Sequence, residues 1–95
     1  MANKTDELLT NPHNPARAGV ARILGRRLRY FRSQMNVTQQ TIAETLRTDR
    51  SYVSRLERGK VLPRLSTLVK LANYFGVDVS TLLSNRSASN RGKNE

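Results

Sequence analysis

Residues 38–59 read "TQQTIAETLRTDRSYVSRLERG". Ile42, Ala43 and Leu46 share one face of a helix, and Val53 and Leu56 share another, but Arg47-Thr48-Asp49 between them breaks the period. The pattern therefore predicts two short helices crossed by a tight turn. Thr38 is placed to cap the first and Asp49 the second, because a side-chain oxygen at the N-cap accepts from the unpaired N–H groups of the first turn. Gly59 closes the second helix where a left-handed C′ residue is usual. This is a helix-turn-helix pattern. The first piece braces, with Ala43 small enough for close approach, while the second presents Arg50, Ser51, Tyr52, Ser54 and Arg55 outward and is anchored from behind by Val53 and Leu56.

Working outward, Leu24, Leu28, Phe31 and Met35 follow amphipathic spacing and predict a helix over about 21–35, with Arg22, Arg26 and Arg29 on another face. On the other side, a loop containing Pro63 leads to a fourth helix. Its expected core face is Leu65, Leu68, Val69, Leu71, Ala72 and Phe75, and Gly76 stops it. Asp78 caps a last short helix that contributes Leu82 and Leu83. Five helices and no convincing strand make the expected fold all-α. Residues 1–18, with Pro12, Pro15 and an inert His13, read as a flexible arm, residues 19–84 as the folded domain, and residues 85–95 as a disordered basic tail.

A chain of 95 residues has room for one domain with a modest core. It contains no Cys, which excludes disulfides and thiolate metal sites, and a single His. No acid/base, nucleophile or metal constellation is legible, so neither catalysis nor a cofactor is expected. No long apolar stretch or export signal stands out, which points to a cytoplasmic protein without a membrane partner. Charge is the stronger signal: 17 Lys and Arg against 7 Asp and Glu give +10, and 13 of the 17 are Arg. The guanidinium fork matches phosphate in a way an ammonium does not, so an Arg surplus tilts toward nucleic acid. Six Arg and no acidic residue lie between Arg17 and Arg32, which makes a patch.

The run "VTQQTIAETLRTDRSYVSRLERGKVLPRLSTLVKLANYFGVDVSTLL" resembles the five-helix, lambda-repressor-like DNA-binding domain of the phage-repressor and Cro-like helix-turn-helix family, also called the xenobiotic-response-element (XRE) family. The resemblance covers residues 23–83 and is carried by "TQQTIAETL", "SYVSRLERG", the Pro63 loop and "LANYFGVDVSTLL", in family order.

That resemblance implies a sequence-specific regulator of double-stranded DNA, most simply a repressor acting as a homodimer on a pseudo-palindrome. Arg50, Ser51, Tyr52 and Arg55 would meet base edges, Arg being the best reader of guanine. Gln39, Arg26, Ser54, Arg58 and Lys60 would meet phosphates. Arg58 also suits the negative end of its own helix, and Tyr52 also suits packing against the loop. Arg32 and Glu57 stand where the family places a structural ion pair. One departure is Arg47, at a turn position usually occupied by Gly, where a left-handed backbone costs about 1 kcal/mol. Another is the Arg density of the first helix, Arg22, Arg26, Arg27 and Arg29: either that helix flanks the DNA backbone, or the arm carries Arg17 into a neighbouring groove. A dimer contact is expected around Tyr74, Phe75, Val77, Val79 and Leu82. The polar residues after Leu83 are too few for a ligand-binding domain, so no small-molecule ligand is expected. The alternative of a different class is an antitoxin or adaptor that uses the same fold to hold a protein partner.

Overall fold

The structure, a computed structural model, describes residues 14–84; the first 13 residues of the expected arm, including His13, and the 85–95 tail lie outside the described residues. Five helices follow in order: α1 Pro15–Met35, α2 Gln39–Leu46, α3 Arg50–Glu57, α4 Leu65–Phe75 and α5 Val79–Leu82. There is no strand among the described residues.

Helix α1 starts six residues before the sequence pattern suggested, and residues 15–18, expected in the arm, form its first turn. The cause is local. Asn14 Oδ1 accepts from the Ala16 N–H at 2.7 Å, and Pro15 sits at the start, where its missing N–H has no partner to lose. The caps predicted for the central helices are present: Thr38 Oγ1 accepts from the Thr41 N–H at 3.1 Å, and Asp49 Oδ1 from the Tyr52 N–H at 2.8 Å.

Four helices end alike. A left-handed residue stands directly after three of them, at Asn36, Arg47 and Gly76, and one residue further on after α3, at Gly59 beyond Arg58. In each case the following N–H reaches back five residues, as from Thr48 to Ala43 O at 2.9 Å and from Lys60 to Arg55 O at 2.9 Å, which satisfies carbonyls at the helix end. Arg47 therefore takes the conformation expected of a glycine, with φ 59° and ψ 49°.

The core joins Leu24 and Leu28 of α1, Ile42 and Ala43 of α2, Val53 and Leu56 of α3, Leu68, Leu71 and Ala72 of α4, and Leu82 of α5. Each fully buried Leu stabilises the fold by about 1.5–3 kcal/mol. Three residues expected in this core are exposed instead: Met35 at 45%, Leu65 at 68% and Val69 at 42%. Met35 is the last residue of α1 and Leu65 the first of α4, so each stands at a helix end. Val69 lies at the edge of the α4 stripe, whose buried line runs through Leu68, Leu71 and Ala72.

Arg27 is a further correction. It belongs not to an exposed cluster but to the interior, at 8% exposure. Its guanidinium lies 4.9 Å from the Phe31 ring centroid and Nε donates to the Thr81 carbonyl at 3.3 Å, which ties α5 to α1.

Candidate nucleic-acid interface

Helix α3 packs chiefly on α1 and α2, with Val53, Leu56 and Glu57 turned inward and Ser51, Arg55 and Arg58 exposed. Its position on α1 is set at Gly25. A Cβ at that residue would stand 2.6 Å from the carbonyl oxygens of both Leu56 and Glu57, so the two backbones approach as closely as only glycine permits. One turn earlier, the loop at Gly59 rests on Arg22, whose Cα would lie 3.1 Å from a Cβ at Gly59.

The end of α3 is locked by charge. Arg32 grips Glu57 with two bonds, Nε to Oε2 at 2.6 Å and Nη2 to Oε1 at 3.1 Å, and Nη1 donates to the Val37 carbonyl at 3.1 Å. The Glu57 side chain is only 2% exposed. The bond to Glu57 raises the Arg32 guanidinium above its usual value, against the opposing effect of burial. The ion pair thus stands where the resemblance placed it. Gln39, for which the resemblance implies a phosphate contact, is also drawn into it: Nε2 donates to Glu57 Oε1 at 3.0 Å. The start of α2, the end of α1 and the end of α3 therefore meet at one buried carboxylate.

At the front of α3 the side chains form a second chain of contacts. Ser51 Oγ donates to Asp49 Oδ1 at 2.7 Å and accepts from Arg55 Nη1 at 3.4 Å. The Arg55 guanidinium lies 5.6 Å from the Tyr52 ring centroid. Tyr52 is half-buried and packs against the core, and its ring also supports Arg55. The Ser51 hydroxyl, followed by the Tyr52 N–H, holds the Asp49 carboxyl below its ordinary value. Arg50 is exposed and has no side-chain partner among the described residues.

The remaining candidates are dispersed. Ser54 is half-buried, and Arg58 folds back so that Nε donates to the Ser54 carbonyl at 3.4 Å, the helix-end role that its position also allowed. Lys60 is exposed in the loop after α3, beside a shallow groove shared with Arg17 and Ala21. Arg26 is exposed on α1, next in the chain to Gly25. Sequence reasoning missed Gly25 as the crossing point, although a lone Gly inside an amphipathic helix is a recognised sign of close packing. It also missed the bond from Gln39 to Glu57, for which two residues 18 apart in the chain carry no local signal.

The helix-turn-helix family profile matches residues 28–82, more than half of the chain. The chain belongs to the helix-turn-helix family. Within that family it is an XRE-type, Cro-like DNA-binding protein and a transcriptional regulator. It is similar to an uncharacterized HTH-type transcriptional regulator of Methanocaldococcus jannaschii, 34% identical over 59% of this chain and 85% of that one. It is similar also to the immunity repressor protein of Bacillus phage phi105, 35% identical over 63% of this chain and 42% of that one. Among solved structures, a hypothetical transcription factor from Neisseria superposes with a TM-score of 0.66 at 30% identity, over 80% of this chain and 85% of that one. No helix among the described residues is long and apolar enough to cross a membrane.

Proposed function

We propose that this helix-turn-helix protein is a cytoplasmic repressor that binds a pseudo-palindromic operator as a homodimer, acting by binding rather than by catalysis. The observation that carries the reading is the two-sidedness of α3: Val53, Leu56 and Glu57 hold it from behind, while Arg50 and Arg55 stand exposed on its outer side. Among the described residues Arg50 has no side-chain bond to lose on meeting a base, and Arg55 is already steadied by Ser51 and Tyr52. Bidentate reading of guanine O6 and N7 is the chemistry that suits both. Ser51 and Tyr52 complete the base-reading front, and the first-turn N–H groups of α2, with Gln39, Ser54, Arg58 and Lys60, meet phosphates. The repressor role is supported by the likeness to the phage immunity repressor.

The dimer reading rests on four of the protein's five aromatic residues, which form one continuous line. Tyr30 meets Phe31 edge-on at 5.3 Å, Phe31 stacks on Phe75 at 5.5 Å, and Phe75 meets Tyr74 edge-on at 5.3 Å. Tyr74, Phe75, Val77 and Val79 are all half-buried, and we assign the contact to them. Leu82, expected in that contact, is 0% exposed and belongs to the monomer's core.

The test is a selection from random duplex DNA at near-physiological salt, followed by titration of the enriched pool. An enriched inverted repeat with a G·C pair in each half is expected. Arg50→Ala should then relax the preference at one base pair by about 1–3 kcal/mol. Uniform weakening on every sequence would instead make Arg50 a phosphate contact, and no enrichment at all would overturn the operator reading.

A further inference from the structure

Six Arg lie on α1, but the fold uses only two of them fully. Arg27 is buried against Phe31 and Thr81, and Arg32 is bound to Glu57. Arg22 and Arg26 are exposed and have no side-chain partner among the described residues, and Arg29 is 67% exposed with its Nε 4.0 Å from Glu57 Oε1. Arg22, Arg26 and Arg29 follow i, i+4, i+7 spacing, so they form one stripe of about 10 Å at 1.5 Å per residue. No acidic residue occurs anywhere in residues 15–43 to offset their mutual repulsion. Like charges at this spacing destabilise a helix slightly, and only Arg29 stands near a carboxylate, that of Glu57.

Its place in the fold narrows the partner. The Arg22 backbone lies against Gly59, two residues beyond the end of α3, and Arg29 reaches toward Glu57 at that end. Gly25, between them on α1, is where α3 makes its closest approach. The stripe thus runs beside the C-terminal half of the helix that carries the base-reading residues, and Lys60 continues it into the next loop. We propose that Arg22, Arg26 and Arg29, continued by Lys60, form a second DNA surface that holds the phosphate backbone of the same duplex outside the base pairs contacted by α3. This rests on the DNA-binding reading above and extends it from base recognition to footprint. Each strand of a duplex carries a phosphate about every 3.4 Å of helix axis, so the stripe can reach more than one phosphate. Guanidinium forks suit phosphate oxygens, and a row of one sign with no base-reading partner contributes affinity without sequence preference.

The test uses the full chain and the selected operator, with Arg22→Gln/Arg26→Gln compared with wild type and with Lys70→Glu. Lys70 is exposed on α4, and its reversal changes the net charge by the same two units. Gln keeps helix propensity at exposed positions, and unchanged melting of the variants is checked first. The stripe variant is expected to lower the slope of log K against log salt by about two, to weaken operator and random duplex equally, and to lose the wild type's dependence on flanking base pairs. Lys70→Glu is expected to do none of this. An unchanged slope, with operator binding intact in wild type, overturns the stripe alone and leaves another acidic partner for it. Equal losses in both variants overturn it as well, because net charge then suffices. A wild-type chain that binds no duplex overturns the DNA-binding reading and the stripe together.

Discussion

Glu57 is the residue on which most of the architecture converges. A carboxylate with a side chain 2% exposed is tolerable only because Arg32 bonds it twice and Gln39 once. Removing it strands the Arg32 charge, itself only 20% exposed, so Glu57→Ala should lower stability by about 3 kcal/mol, read by urea denaturation. In the Arg32→Ala/Glu57→Ala double variant the loss should be smaller than the sum of the two single losses, and full additivity would show that the pair does not couple. Asp49 carries a different prediction. Its folded-state value is held below the ordinary 3.8 by Ser51 and Tyr52, so its contribution is present above about pH 4 and is lost as pH falls through the lowered value. Melting temperature should therefore drop on acidification, and Asp49→Asn, which keeps a capping oxygen, should flatten that part of the profile. Identical acid limbs for both proteins would rule the cap out as its source.

At the scale of elements, α3 is placed by its neighbours rather than by its own propensity. Eight residues are too few for an independently stable helix, and the four-residue α5 is shorter still. Two devices hold them. Arg27 ties α5 to α1 through Thr81, and Gly25 lets α3 settle onto α1 at backbone contact. Gly25→Ala is the sharper test: Ala is the better helix former, yet its Cβ would meet two carbonyl oxygens at 2.6 Å. The substitution should destabilise by about 1–3 kcal/mol and weaken operator binding by tilting α3. A stabilised variant, as helix propensity alone predicts, would show that the crossing is looser than described. The turn between α2 and α3 is held in the same way. Arg47 accepts a left-handed backbone because the bonds from Arg47 and Thr48 back to Glu44 and Ala43 over-determine it.

For the whole molecule, the prediction is dimerisation through the aromatic side. Sedimentation at rising concentration should show twice the chain mass, and Val77→Glu should shift the protein to monomer and weaken operator binding. A monomer both free and on DNA would remove that contact. What the sequence determined by itself is what local chemistry determines: the interrupted period at residues 47–49, the caps at Thr38 and Asp49, the stops at Gly59 and Gly76, and hence the helix order and the outward front of α3. The Arg32–Glu57 pair was legible only through likeness to a family. Tertiary structure alone decided which apolar and charged residues on a helix face are buried, because burial depends on what stands opposite and not on periodicity. Met35, Leu65 and Val69 have the right spacing yet stay exposed at helix ends or at the edge of the stripe, and Arg27, charged and in sequence part of a basic patch, lies against two rings and a carbonyl. Gln39 likewise faces a carboxylate only because three helix ends converge there, a meeting created by folding between residues distant in the chain.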